Sequence, residues 1–120
     1  MRRLLAAGLL MLLSMSPVQA GEADVVAAEA VQESDGTWRF RVTVRHGDEG
    51  WEHYADRWQV ETRDGRVLGT RVLLHPHEQE QPFTRALGGV TVPPEVDEVV
   101  IRAHDSVHGD GGAVVTVRLR

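Results

Sequence analysis

Residues 37–45 alternate without a break: Trp38, Phe40, Val42 and Val44 fall on one side, Arg39, Arg41, Thr43 and Arg45 on the other. A helix of period 3.6 would scatter those apolar groups around its circumference, whereas a strand of period 2 gathers them on one face. One wet face and one dry face then require a second apolar layer to cover the dry one. Six more segments read as strands: 25–33, 56–62, 66–74, 83–92, 96–103 and 113–119. Trp58 and Val60 point inward in the 56–62 segment. Leu68, Val72 and Leu74 share a face in the next, and Ala113, Val115, Val117 and Leu119 share one in the last. Asp35-Gly36 reads as a two-residue hairpin turn and Asp64-Gly65 as a second tight turn. Gly88-Gly89 interrupts the fifth strand, and Pro93-Pro94 ends it. The expected core is Trp38, Phe40, Val42, Trp58, Val60, Leu68, Val72, Ile101, Val115 and Val117.

The chain begins Met1-Arg2-Arg3 and then runs apolar from Leu4 to Met15, ending on the small-x-small triplet Val18-Gln19-Ala20. That pattern is a secretory signal, cut after Ala20. The apolar run is about a dozen residues against the ~20 needed to span a bilayer, so no membrane insertion is expected after cleavage. No cysteine follows it, which argues against a bacterial lipoprotein anchor. The exported portion, 21–120, is expected to be one domain in the periplasm or outside the cell. All three methionines leave with the signal and there is no cysteine. Disulfides and sulfur ligands for copper(I) are therefore both excluded.

The sequence carries 13 basic and 18 acidic residues, and every basic one is arginine. Without Arg2 and Arg3 the balance is 11 against 18, a net charge of −7. Nucleic acid is not expected as a partner, nor an anionic membrane surface.

Seven short strands with turn signals between them, and a tryptophan near the start of the third, resemble the immunoglobulin or fibronectin type III class of antiparallel sandwich. The fold class expected is therefore an all-β, seven-stranded sandwich of that kind, and the likeness implies no function by itself. The segments HGDEGWEHYADRW, LLHPHEQEQPFTR and IRAHDSVHGDGG are similar to those of small exported proteobacterial proteins. That likeness implies a stand-alone exported domain and no particular chemistry.

The six histidines, His46, His53, His75, His77, His104 and His108, all fall where strands end. If consecutive strands alternate in direction, the loops 46–55, 75–82 and 104–112 share one pole, each carrying two of them. The opposite pole has only tight turns. The loops add Asp48, Glu49, Glu52, Glu78, Glu80, Asp105 and Asp110. Imidazole with carboxylate and no sulfur suits zinc, copper(II) or nickel(II). His75-x-His77 directs two rings to one side of an extended segment, which Pro76 stiffens. The expected ligands are His75, His77 and His104, with His46 or His108 as a fourth and Asp105 and Glu78 fixing the tautomers behind them. His53, deep in its loop, ranks last.

The function this predicts is a carrier, buffer or sensor for copper(II) or zinc. The alternative is a structural or interaction module that binds another exported protein through the same loops, with Trp51 and Tyr54 as anchors. In that case the histidines are structural: His46 continues the inward parity of its strand and caps the core, and His104 shares the parity of Arg102 and faces solvent. No Gly-x-Ser-x-Gly or HExxH motif is present, and Ser106 is the only serine in the three loops, so an enzyme is not expected. A metallohydrolase using these histidines would need a substrate cleft, for which a chain this size has little room.

Overall fold

The computed structural model describes residues 21–120; the segment read as the signal, 1–20, lies outside the described residues. Seven strands form: β1 Asp24–Gln32, β2 Trp38–Arg45, β3 Ala55–Glu61, β4 Val67–Val72, β5 Phe83–Val90, β6 Glu98–Asp105 and β7 Val115–Arg118. They make two antiparallel sheets, β1-β2-β5 and β4-β3-β6-β7. No helix occurs among the described residues.

The core follows from strand parity. β2 contributes Trp38, Phe40, Val42 and Val44, β3 contributes Trp58 and Val60, and β6 contributes Val99, Ile101 and Ala103, all buried. Phe83, Val90 and Leu73 close the sides. Each large apolar side chain buried in this way stabilises the fold by about 1.5–3 kcal/mol. Val115, Val117 and Leu68 pack against this core without being fully enclosed.

In β4 the expected register fails. Val60 pairs with Gly69, yet the next residue, Glu61, pairs with Val67, so Leu68 is an extra residue with no partner of its own. A one-residue bulge moves every later side chain to the other face. Beyond it, Arg71 lies opposite the inward Trp58, and Leu73 is buried at 2% exposure. Val72 and Leu74, expected inside, are instead 56% and 76% exposed. Gly69 sits against Leu87 and Val90 of β5, where a Cβ would crowd both side chains. Arg71 donates from Nη1 to the Ala86 carbonyl at 2.6 Å, bridging the neighbouring edges of the two sheets.

The turn at Asp35-Gly36 is a three-residue connection rather than a two-residue one. Glu33 N–H bonds the Thr37 carbonyl and Gly36 N–H bonds the Glu33 carbonyl. Gly36 sits at φ +90°, the left-handed position that closes such a turn. Thr62 to Arg66 repeats the arrangement with Gly65 at φ +93°.

The connections that matter for function lie at the other end. β2→β3 and β4→β5 each cross from one sheet to the other, and both pass over the same end of the core as the β6–β7 hairpin loop. The three loops bond one another there. His46 N–H donates to Gln81 Oε1, His77 N–H to Asp48 Oδ2, and Ser106 N–H to the Tyr54 carbonyl.

The bulge makes adjacent leucines unequal. Leu73→Ala should cost about 2–5 kcal/mol of unfolding free energy, whereas Leu74→Ala should change it by no more than about 0.5 kcal/mol. Urea titrations of the two variants measure this, and equal losses would contradict the register.

Candidate functional site

The inward faces of two strands do not stop where the apolar residues stop. In β2 the series Trp38, Phe40, Val42, Val44 continues to His46, which is 1% exposed. In β6 the series Val99, Ile101, Ala103 continues to Asp105, which is fully buried. The two strands belong to different sheets. A histidine and a carboxylate therefore face each other across the end of the core, His46 Nε2 3.6 Å from Asp105 Oδ2.

His46 is held from both sides. Its Nδ1 is 2.5 Å from Asp48 Oδ1, and its Nε2 is 2.8 Å from the Gly21 carbonyl oxygen. Two acceptors, one per ring nitrogen, suit an imidazolium. Burial works against that charge, but the Asp48 hydrogen bond, the Gly21 carbonyl and the charges of Asp48 and Asp105 together outweigh it, so the His46 pKa is raised.

Asp48 is equally enclosed. Besides His46 it accepts Ala55 N–H at 3.0 Å and His77 N–H at 2.6 Å. Burial alone would raise its pKa, yet these donors hold it below the ordinary carboxylate value. Asp105 follows the same logic. Burial opposes its charge, and Val107 N–H and His108 N–H, at 2.7 and 2.6 Å from Oδ1, then hold the carboxylate ionised, helped by His46 and His108.

His53 completes the group. Its Nδ1 lies 3.2 Å from Glu49 Oε1, and its Nε2 lies 3.4 Å from Asp105 Oδ1. That buried Nε2 has no hydrogen-bond partner. Donor atoms of His46, His53 and Asp105 all lie within 4.8 Å of one another. Both imidazoles have Nδ1 against a carboxylate and Nε2 turned toward Asp105. This is the arrangement by which a carboxylate fixes the tautomer of a metal-binding histidine.

The ligand set expected from the sequence is distributed differently. His75, His77 and His104 do not form a three-donor group among the described residues. His75 is exposed, its Nδ1 3.1 Å from the Pro76 carbonyl. His77 is buried and stacked on Phe83 with ring centroids 4.0 Å apart and planes 11° from parallel. Neither of its ring nitrogens has a partner. Burial first, then the nearby Arg85 and His75 charges, push its pKa down. His104 lies on the outward side of β6, bonded through Nδ1 to Asp56 Oδ1 at 2.6 Å. His108 stands beside the group, its Nδ1 3.3 Å from Asp105 Oδ2 and its ring 4.9 Å from that of His53.

His53, ranked last, is thus a member, and Asp105 sits among the donors rather than behind them. Asp105 was legible by parity, since it stands two residues beyond Ala103. The Gly21 carbonyl carries no signal in sequence.

His46 and His77 tilt stability in opposite directions with pH. The raised His46 contributes fully below its unfolded pKa of about 6.5, and that contribution is lost as pH rises through the folded value. The lowered His77 contributes above about 6.5 and its contribution is lost as pH falls toward its folded value. His77→Phe keeps the stack on Phe83 and removes two buried nitrogens without partners. Its urea midpoint should match or exceed wild type at pH 7.5 and exceed it by more at pH 5.5. The same fall in both proteins on acidification would exonerate His77. Asp48→Asn should cost about 3–5 kcal/mol at neutral pH, because it leaves a buried imidazolium without its counter-charge.

No family model matches the chain, and no solved structure matches it. A protein of Halomicrobium mukohataei named "Putative lipoprotein" is 44% identical over 96 residues. The match covers 80% of this chain and 47% of that protein, so the chain spans about half the length of the curated relative. That relative is archaeal, not proteobacterial. Its name describes it alone.

Proposed function

We propose that this chain is an exported β-sandwich module whose histidine pole binds a divalent transition metal, zinc or copper(II), through His46, His53 and Asp105. The observation that carries the reading is the convergence of three donors within 4.8 Å. Each histidine is backed by its own carboxylate, Asp48 or Glu49. A nitrogen and oxygen donor set without sulfur suits both ions.

A carrier, buffer or sensor fits the site better than an enzyme does. His46 and Asp105 are almost wholly enclosed, whereas a catalytic metal keeps an open coordination position for substrate. Export is supported by the signal pattern of residues 1–20 and by the name of the relative. Within the sandwich class, the constant-type immunoglobulin order places the fourth strand beside the fifth. Here β4 lies beside β3, which favours the fibronectin type III side of the resemblance.

A second reading has one observation of its own. Trp51 is 66% exposed and meets Tyr54 edge-on at 5.6 Å. A large apolar anchor displayed on these loops suits a module that binds another exported protein.

Calorimetry with zinc and with copper(II) at pH 7.5 should give one equivalent bound by the wild-type chain. His53→Gln and Asp105→Asn should each weaken binding at least about tenfold, since each removes one donor. His75→Ala should leave it unchanged. Affinity should fall as pH drops, beginning above the ordinary imidazole value of about 6.5 because the His46 pKa is raised, since a protonated imidazole cannot ligate. A folded protein that binds neither ion would end the metal reading and leave the interaction module.

A further inference from the structure

Among the described residues, the Gly21 carbonyl is the one main-chain oxygen that bonds a histidine ring nitrogen of this site, 2.8 Å from His46 Nε2. That nitrogen is also the one which faces Asp105. Resting on the metal reading above, we infer that the carbonyl oxygen of Gly21 is the fourth ligand, so that the ion fastens the segment preceding β1 across the histidine pole.

The distances support this. Four ligands at the usual zinc bond lengths stand about 3.3–3.4 Å apart at the corners of a tetrahedron. His46 Nε2 is 3.6 Å from Asp105 Oδ2 and His53 Nε2 is 3.4 Å from Asp105 Oδ1, one carboxylate oxygen each. With a single donor atom per residue the three side chains lie within 4.8 Å of one another, so an ion would draw them together. The Gly21 oxygen, at 2.8 Å from His46 Nε2, is closer because a shared proton now joins the two. An ion in place of that proton would let them part by about half an ångström and keep the same neighbours. The imidazoles and the carboxylate are the strong donors for zinc or copper(II), and the carbonyl oxygen, a hard neutral donor of the kind more usual for magnesium, calcium or manganese, would be the weakest of the four.

The carbonyl does not reach the site by chance. Ala113 N–H donates to Asp24 Oδ1 at 2.8 Å, and Val25 N–H donates to the Ala113 carbonyl at 2.9 Å. Gly112 lies so close to the Ala23 carbonyl that a Cβ there would collide with it and with the Asp24 carboxylate. The glycines after Asp110 therefore form a seat for residues 22–24. The loop that carries His108 and follows Asp105 is the same loop that delivers Gly21 to His46. An ion at this site would join both sheets and the segment leading into β1.

Two variants test the inference, with zinc alone as the probe on the full exported chain. Gly112→Ala displaces the segment through the Ala23 carbonyl. Asp24→Ala is milder, since it removes only the acceptor of Ala113 N–H. Both should bind one zinc with affinity reduced about tenfold, while His53 and Asp105 still hold the ion. In the wild type, saturating zinc should slow hydrogen exchange at the Ala23 and Val25 amides at least about fivefold, and Asp24→Ala should lose that slowing. Wild-type affinity in Asp24→Ala, with exchange at Ala23 and Val25 unchanged by zinc in the wild type, overturns the inference and leaves the three-donor site standing. Failure of the wild-type chain to bind zinc overturns both.

Discussion

The Asp48 carboxylate is the interaction on which the histidine pole depends. It is buried, and it accepts from the His46 ring, the Ala55 amide and the His77 amide. Those three groups belong to the end of β2, the start of β3 and the β4–β5 loop. One side chain therefore fixes the two sheet-crossing connections of this pole, β2→β3 and β4→β5, against each other. A loop that crosses from sheet to sheet has no ladder to satisfy its amides, and a buried amide must find some acceptor. Asp105 does the same for the hairpin loop, through Val107 and His108. The two carboxylates organise the loops, and the histidines stand between the carboxylates.

This polar cap has an energetic cost that an apolar one would avoid. Burying an ion pair is often no better than burying hydrophobic groups of the same volume. His46 and Asp105 occupy positions where the parity of β2 and β6 would accept a valine or leucine. They could have extended the core by one layer. The carboxylates of this charged layer satisfy loop amides, but the buried His53 Nε2 has no partner, and that nitrogen is what supports the proposed ligand. His77 is the contrasting case. Its two bare nitrogens lie in an apolar stack on Phe83, and its lowered pKa keeps it neutral there.

Most of the sheet architecture was legible in the sequence because period-2 alternation survives wherever a strand has one dry face. β2 read correctly for that reason, and β6 did so in parity, although it runs Glu98–Asp105 and not 96–103 and so takes His104 and Asp105 out of the loop. β4 did not, because a bulge at Leu68 reverses the parity downstream, and no residue type announces it. Gly69 was the nearest signal, a glycine inside a strand. The histidine pole was also legible, since it needs only the alternating direction of consecutive strands. Which histidines converge was not. His75 and His77 have a suggestive spacing, but one ring faces solvent and the other lies on Phe83. His46 and His53 have no such spacing and come together because a sheet-crossing loop folds back over the core. Spacing along the chain describes contacts within one loop; this site draws on two loops and, through Gly21, on the segment before β1.

Protons and metal ions compete here for the same nitrogen. His46 has Asp48 on Nδ1 and the Gly21 carbonyl and Asp105 on the Nε2 side, a setting that suits an imidazolium and raises its pKa. An ion bound at Nε2 would replace that proton and take over the attraction to Asp105. The proposed ion would therefore be a second way of neutralising the buried carboxylate, beside a proton on His46. Both keep Asp48 on Nδ1, so the exchange does not require the loops to reorganise. A site that is already assembled around a proton loses little ordering entropy when an ion takes its place. Acid would favour the proton and rising pH the proposed ion, because the two compete for one nitrogen.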